Sequence, residues 1–232
     1  MMSPLAPGRY LDSIAVDGAE IGRLCRLHPA QTVPSCPDWT GADLLAHLTG
    51  FTRWLRGLYD GKGDIAAPVP VIDPGACTLE WDRTLEELLS LLRGTDPQAA
   101  VPNWSIGPQT AKFWLRRCAQ DVAIHRWDAA RLISRSPDPV PADIALDGVD
   151  EYLHVFIGTA LAGGATPEAE ATIVLEMTDL DRHVRRDLPR PGPVTTLRGA
   201  ASDLLLGLWH RRDPLGLFVS GDRELVAAWP RI

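Results

Sequence analysis

Hydrophobic positions recur with helical spacing through the first 135 residues of the chain. The pattern predicts four helices, at residues 9–28, 40–59, 78–94 and about 108–134. Thr40, with Asp43 three residues later, is typical of a capping box and marks where the second helix begins. Because the connections are too short to hold interleaved strands, we expect a four-helix bundle.

The pattern changes after the proline-rich stretch at residues 136–141. Alternating, β-branched segments predict two adjacent strands or a hairpin, at 171–179 and 181–188. The other expected elements are helices at 144–161, 199–212 and 223–229 and a strand at 215–222. We therefore predict an α+β protein in which a four-helix bundle, residues 1–140, precedes a small α+β domain, residues 141–232.

Composition and charge narrow the class of protein. The 232 residues carry a net charge of −7 and have an isoelectric point near 5.3, which argues against binding to a nucleic-acid backbone. No apolar run approaches the length of about 18 residues that a membrane span needs, and the first residues lack the apolar region of a secretion signal. The four cysteines form no C-x-x-C pair, which favours reduced thiols and a cytoplasmic location.

Two helices carry polar side chains on otherwise apolar faces. Asp121 and His125 are one turn apart in the fourth helix, so both project from one face. His47 lies on the apolar stripe of the second helix and would face them across a bundle. Two imidazoles and one carboxylate are a common ligand set for a catalytic divalent metal. Core histidines with satisfied hydrogen bonds would give the same spacing, and both interpretations stay open at this point.

Neighbouring residues have simpler interpretations. Asp128 either orients an imidazole or pairs with nearby arginines. Cys36 is expected to be structural, because nothing near it in the sequence would lower the pKa of its thiol. Cys118, one turn before Asp121, is expected to line the cavity, and Trp39 is expected to be a packing group.

Three longer segments carry a recognisable pattern, VPSCPDWTGADLLAHLTG (33–50), DVAIHRWDAA (121–130) and GAASDLLLGLWHRRDPLGLFVSGD (199–222). The first resembles the "VPxCPxWxVxDLxAHL" opening of the mycothiol-dependent maleylpyruvate isomerase family, a branch of the DinB-like bundles. The second resembles the family's "ExAVHRWDA" segment, and the third resembles the "GxASDLLLxLWGR…VxGD" region of its C-terminal domain. The three segments occur in the family's order over nearly the whole chain.

The resemblance implies a DinB-like bundle that holds a divalent metal through His47, Asp121 and His125, with zinc as the preferred metal. The family usually has glutamate where this chain has Asp121. The shorter side chain reduces the reach of the carboxylate by about 1.5 Å, the length of one carbon–carbon bond. We still expect a bound metal.

The resemblance also implies a role for one residue outside the metal ligands. Arg211 aligns with an arginine of the C-terminal domain that faces the metal pocket and binds substrate carboxylates, although a cation at the end of a helix is also favourable by itself. Asn103 and Trp104 precede the fourth helix and are assigned to cofactor binding at the edge of the pocket, or else they cap it. The small α+β domain would close this pocket.

The expected activity is that of a metal-dependent enzyme that holds mycothiol as a metal-bound thiolate for addition to a small electrophile. Isomerase and thiol S-transferase activity are both compatible with this chemistry. The arginine-rich, lysine-poor composition indicates a high-GC genome and fits an actinobacterial host, where mycothiol is the expected thiol. The alternatives are a metal-dependent hydrolase that needs no thiol cofactor and a non-catalytic small-ligand binding or sensor protein. We expect a monomer or homodimer with small-molecule partners, and no nucleic-acid or membrane partner.

Overall fold

Four long helices account for most of the first half of the chain in the computed structural model, which describes residues 3–134, 136–164 and 170–227. The helices are α1 (Pro7–Leu27), α2 (Gly41–Tyr59), α3 (Pro74–Gly94) and α4 (Ala111–Ala130). A short antiparallel strand pair joins α1 to α2, with β1 at Thr32–Val33 and β2 at Cys36–Thr40. This pair lies in a segment that the sequence had suggested was only a connector.

Local sequence signals explain where the helices begin. The capping box of α2 is present, since the Thr40 hydroxyl accepts from the Asp43 backbone N–H and the Asp43 carboxylate accepts from the Thr40 backbone N–H. Helix α3 begins at Pro74 rather than near Thr78, because Asp73 caps it and proline fits the first turn of a helix.

The helices of this half pack as a bundle. Helix α1 packs against α4 and α3, and α2 packs against α3. Apolar side chains from all four helices fill the core, among them Ile14, Ile21, Leu44, Leu55, Trp81 and Trp114, each at most 1% exposed. Helix α4 is the most deeply enclosed, with buried residues on several of its faces.

Residues after Pro139 form a second unit, which also includes the short segments 3–4 and 105–107, whereas Leu5–Trp104 and Pro108–Asp138 form the first. The second unit begins with α5 (Ala142–Glu151), a π-helical turn and α6 (Ile157–Ala162), where the sequence predicted a single helix. The π-helical turn at Tyr152–Phe156 interrupts the expected run.

A four-stranded sheet forms the centre of the second unit, in the order β4-β3-β5-β6. The strands are β3 (Ala171–Met177), β4 (Arg182–Leu188), β5 (Val194–Gly199) and β6 (Phe218–Ser220). Strands β3 and β4 are antiparallel, as predicted, whereas β5 was not predicted and pairs in parallel with β3.

Helix α7 (Ala201–Leu208) packs against β3, β5 and α5, and a short helix α8 (Arg223–Ala227) ends the described part. Residues 228–229 of the predicted terminal helix lie outside the described residues. The predicted α+β class, a four-helix bundle followed by a small sheet domain, is confirmed. Within the described residues, no helix combines the length and the apolar character that crossing a membrane requires.

Candidate metal centre

His47 comes from the apolar stripe of α2, one and a half to two turns after the capping box that starts this helix. Its side chain is half-buried. The ring centroid of His47 lies 5.1 Å from that of His125 in an edge-on arrangement, and 4.7 Å from that of Trp39. Trp39 therefore does more than fill the core, since its ring lies against a candidate ligand.

Asp121 and His125 come from α4, where the spacing of one turn places them on the same face. The structure brings them together with His47 across the bundle. One candidate ligand atom from each of the three side chains lies within 4.8 Å of the other two. Cys118, although fully buried one turn away, is not part of this cluster within the described residues.

The Asp121 carboxylate has two different oxygen environments. Its Oδ1 lies 3.4 Å from Nη2 of Arg117, which is itself buried one turn earlier in α4. Its Oδ2 is buried and, in the part of the chain that the structure describes, has no hydrogen-bond partner. Burial acts to raise the pKa of Asp121, but the neighbouring His125, Arg117 and His47 outweigh this effect, so that the pKa lies below its ordinary value. Asp121 is therefore an anion at neutral pH, and its Oδ2 can accept a further interaction.

His125 is held from its other side. Its Nδ1 lies 3.0 Å from Oδ2 of Asp128, which is fully buried. The second oxygen of Asp128 accepts a hydrogen bond from the Ser35 hydroxyl at 2.5 Å. Of the two interpretations of Asp128 offered by the sequence, the structure therefore shows the contact with an imidazole.

The donor set fits a divalent cation. Two imidazole nitrogens and one carboxylate oxygen suit zinc and related metals, and bonds to such ligands are about 2.0–2.2 Å long. A buried carboxylate oxygen that lacks a partner is costly unless something compensates it, and a cation between the three side chains would do so. Asp121 reaches the cluster although its side chain is one methylene shorter than that of a glutamate.

The structure places the two residues assigned to cofactor binding in the loop that precedes α4. The Asn103 amide donates to the backbone oxygen of Pro108 at 2.9 Å, and its oxygen accepts from Gln109 at 3.2 Å. The Trp104 ring contacts Phe113 edge-on, with centroids 5.6 Å apart. These contacts shape the approach to α4, and a role in cofactor binding stays a prediction for both.

Arg211 belongs to the second unit and follows α7. Its guanidinium donates to the backbone oxygen of Trp209 at 3.0 Å. The adjacent Arg212 forms an ion pair with Asp203 at 2.9 Å. The catalytic role of Arg211 stays a prediction.

Sequence reasoning missed Arg117, which contacts Asp121, and Ser35, which contacts Asp128 behind His125. Arg117 lies four residues before Asp121, so the rule for helical neighbours was sufficient to find it. Ser35 lies 93 residues from its partner Asp128, and no local pattern could have indicated that contact.

Two family models match the chain. The model described as mycothiol maleylpyruvate isomerase N-terminal domain matches residues 18–130. The model described as MDMPI C-terminal domain matches residues 143–228. No curated protein matches the chain.

Two solved structures share the fold. The crystal structure of the mycothiol-dependent maleylpyruvate isomerase is 15% identical, with a TM-score of 0.68, over 94% of this chain and 96% of that one. The crystal structure of a histidine-to-alanine mutant of a mycothiol-dependent maleylpyruvate isomerase is 13% identical, with a TM-score of 0.67 and the same coverage. At such low identity these likenesses establish the fold alone. Because the two family models match in order over most of its length, the chain belongs to the mycothiol-dependent maleylpyruvate isomerase family.

Proposed function

We propose that this chain is a metal-dependent enzyme that uses mycothiol for addition to a small electrophile, as an isomerase or a thiol S-transferase. The observation that carries the proposal is the convergence of His47, Asp121 and His125, with donor atoms within 4.8 Å of one another, in a member of this family. The neighbouring structures are mycothiol-dependent maleylpyruvate isomerases. Their names support mycothiol as the thiol and maleylpyruvate as the first substrate to test.

In this proposal the metal is held by one nitrogen of each imidazole and by the unpartnered oxygen of Asp121. When bound, a divalent cation supplies the charge that keeps a small thiol deprotonated at neutral pH. Two neutral imidazoles and one carboxylate leave part of that charge uncompensated, so the ligand set favours an anionic sulfur. Arg117 holds the other oxygen of Asp121 and adds a second positive charge beside the cluster.

The isomerase reaction needs only reversible addition of the thiol. The sulfur forms a bond to one carbon of a cis double bond, and the electron pair moves into the conjugated carbonyl. Rotation about the resulting single bond precedes cleavage of the carbon–sulfur bond, in which the electron pair returns from the carbonyl, restores the double bond in the trans form and releases the thiolate. In a transferase the carbon–sulfur bond would persist in the product.

Three of the protein's four cysteines are poorly suited to supply the nucleophile. Burial raises the pKa of Cys25 to about 12, and burial also raises the pKa of Cys77. Cys118 is fully buried. A thiol with a raised pKa is almost entirely protonated at neutral pH and reacts slowly, which supports an external thiol in this role.

The metal assignment is tested by metal analysis of the purified protein. We expect near-stoichiometric divalent metal in the wild type and little in His47→Ala. His183→Ala is the matched control, because His183 is exposed on β4 and lies outside the cluster. Equal metal content in His47→Ala and wild-type protein would remove His47 from the site.

The thiol assignment is tested by thermal unfolding with mycothiol, with and without a chelator. A ligand that binds only the folded state raises the melting temperature, and we expect this rise to disappear with the chelator. Turnover of maleylpyruvate should require mycothiol. Metal-dependent turnover without any thiol would favour a hydrolase, and tight ligand binding by metal-free protein without turnover would favour a sensor.

Substrate binding by Arg211 is tested by comparing Arg211→Ala with Arg212→Ala. The two arginines are adjacent, and Arg212, which forms an ion pair with Asp203, serves as the control for loss of a neighbouring charge. We expect the KM for a carboxylate substrate to rise at least about tenfold in Arg211→Ala, as loss of a charge-assisted hydrogen bond would give. A similar KM in both variants would contradict the assignment.

A further inference from the structure

A hydrogen-bonded chain, half-buried at Ser35 and buried at Asp128, connects the β1–β2 segment to one of the candidate ligands. The Ser35 hydroxyl donates to Oδ1 of Asp128 at 2.5 Å. The other oxygen of Asp128 lies 3.0 Å from Nδ1 of His125. Asp128 has no exposed surface, and the His125 side chain is 8% exposed.

The direction of these hydrogen bonds determines which nitrogen of His125 is available. A carboxylate can only accept, so Nδ1 of His125 carries the hydrogen in this contact. In a neutral imidazole the other nitrogen, Nε2, then has the free lone pair. Nε2 is therefore the atom that His125 can offer to the cluster with His47 and Asp121.

We propose that Ser35 and Asp128 are positioning residues that hold His125 as an Nε2 metal ligand. This inference rests on the proposed metal site and adds the residues that preorganise it. Asp128 selects the tautomer and fixes the rotation of the ring, while Ser35 fixes the carboxylate of Asp128. Without Ser35 the carboxylate would keep its contact with His125 but would have more freedom to rotate.

The same segment also touches the ligand on the other helix. Trp39, four residues after Ser35, places its ring centroid 4.7 Å from that of His47 and 6.3 Å from that of His125. Thr40 then caps the helix that carries His47. The β1–β2 segment thus contacts the imidazole of α4 through Ser35 and Asp128, and the imidazole of α2 through Trp39. This placement favours a role in the site over a role in general packing.

The experiment measures the affinity of the metal-free protein for Co²⁺ by competition with a chromophoric chelator, together with the visible absorption spectrum of bound Co²⁺. We expect Asp128→Asn to weaken binding by about 10–100-fold, the range for loss of a group that orients a metal-ligating histidine. Ser35→Ala should weaken binding by about 3–10-fold, since it removes one hydrogen bond from that group. Both variants should alter the Co²⁺ spectrum, because the ring of His125 is less fixed.

Two further variants separate positioning from stability. Ser35→Thr keeps the hydroxyl and should restore the affinity and the spectrum of the wild type. Ser13→Ala removes a similar buried contact outside the site, where the Ser13 hydroxyl donates to Asp17 at 3.0 Å. We expect it to lower stability to an extent comparable to Ser35→Ala without changing Co²⁺ affinity.

The outcomes distinguish this inference from the proposed function. Wild-type protein that binds no divalent metal would overturn both. A different outcome is that the wild type binds Co²⁺ and His47→Ala does not. If Ser35→Ala then has the same Co²⁺ affinity and spectrum as the wild type, the positioning role alone is overturned. If Asp128→Asn fails to fold, the comparison of Ser35→Ala with Ser35→Thr decides the result, and equal weakening in both would also overturn the inference.

Discussion

The crossing of α1 and α3 depends on two glycines, and substitution of one of them gives a sharp test of the packing. A Cβ atom added at Gly22 would lie 2.4 Å from Cδ1 and 2.9 Å from Nε1 of Trp81. The Trp81 ring is fully buried, and its Nε1 donates to the backbone oxygen of Gly18 at 2.8 Å. Gly22→Ala would therefore push the ring away from the helix to which it is hydrogen-bonded.

The cost follows from these distances. Two carbon atoms in contact lie about 3.5–4.0 Å apart, so the ring or the helix must move by about 1 Å. Such overpacking costs about 1–3 kcal/mol, and weakening the buried hydrogen bond adds about 0.5–1.5 kcal/mol. Alanine regains about 1 kcal/mol of helix propensity relative to glycine. The net loss is about 2 kcal/mol, which lowers the melting temperature by about 4–8 °C in a chain of this size.

The assay is urea and thermal unfolding of Gly22→Ala followed by far-UV circular dichroism. Gly8→Ala is the matched control on the same helix, because a Cβ atom at Gly8 has no heavy atom within 4 Å. We expect Gly8→Ala to be as stable as the wild type or slightly more stable. Metal content should be unchanged in Gly22→Ala, since the candidate ligands lie on α2 and α4. Equal stability of the two variants would refute the packing argument.

Three further predictions concern a helix cap, a thiol and a buried acid. We expect Thr40→Ala to lower the free energy of unfolding by about 1 kcal/mol in urea titrations, and Thr40→Ser to keep the wild-type value. An unchanged free energy of unfolding in Thr40→Ala would show that the capping box with Asp43 contributes nothing. Because burial raises the pKa of Cys25 to about 12, this thiol should not react with Ellman's reagent in the native protein. Cys25→Ser should therefore leave the number of reactive thiols in the native protein unchanged and lower the number in the unfolded protein by one. Burial also raises the pKa of Asp17 despite the opposing effect of Arg126, so the folded state takes up this proton more readily than the unfolded state. As the pH falls from 7 through that raised pKa, the free energy of unfolding of the wild type should rise relative to that of Asp17→Asn. A difference between the two proteins that stays constant with pH in urea titrations would contradict this.

Features with a local physical cause could be predicted from the sequence. The capping box of α2 involves residues three apart, and the hairpin of β3 and β4 joins segments that are adjacent in the chain. The face shared by Asp121 and His125 follows from the pitch of one helix. In each case the interaction is decided within a few residues, so the pattern of side chains was sufficient.

Features that depend on distant partners could not be predicted in this way. Strand β5 pairs in parallel with β3, although β4 lies between the two in the sequence, and at six residues it carries only a short pattern of its own. The two-residue strand β1 exists only because β2 lies beside it. The contact of Ser35 with Asp128 spans 93 residues. For β5 and for Ser35 the decisive partner lies outside any local window, whereas β1 pairs with the nearby β2 but is too short to show a pattern of its own.

Asp121 stands where the resemblance implies a glutamate, and its shorter side chain bears directly on whether the cluster can hold a metal. A shorter side chain would matter most if Asp121 had to reach across the bundle to both other ligands, but Asp121 lies one turn from His125 in α4. Only His47 comes from another helix, and its imidazole, like that of His125, reaches farther from the backbone than the carboxylate of Asp121. The three donor atoms consequently lie within 4.8 Å of one another although Asp121 is short. Arg117 holds one of its two oxygens, which leaves a single oxygen for a cation. The substitution is thus compatible with metal binding because the helix that carries Asp121 already lies at the site.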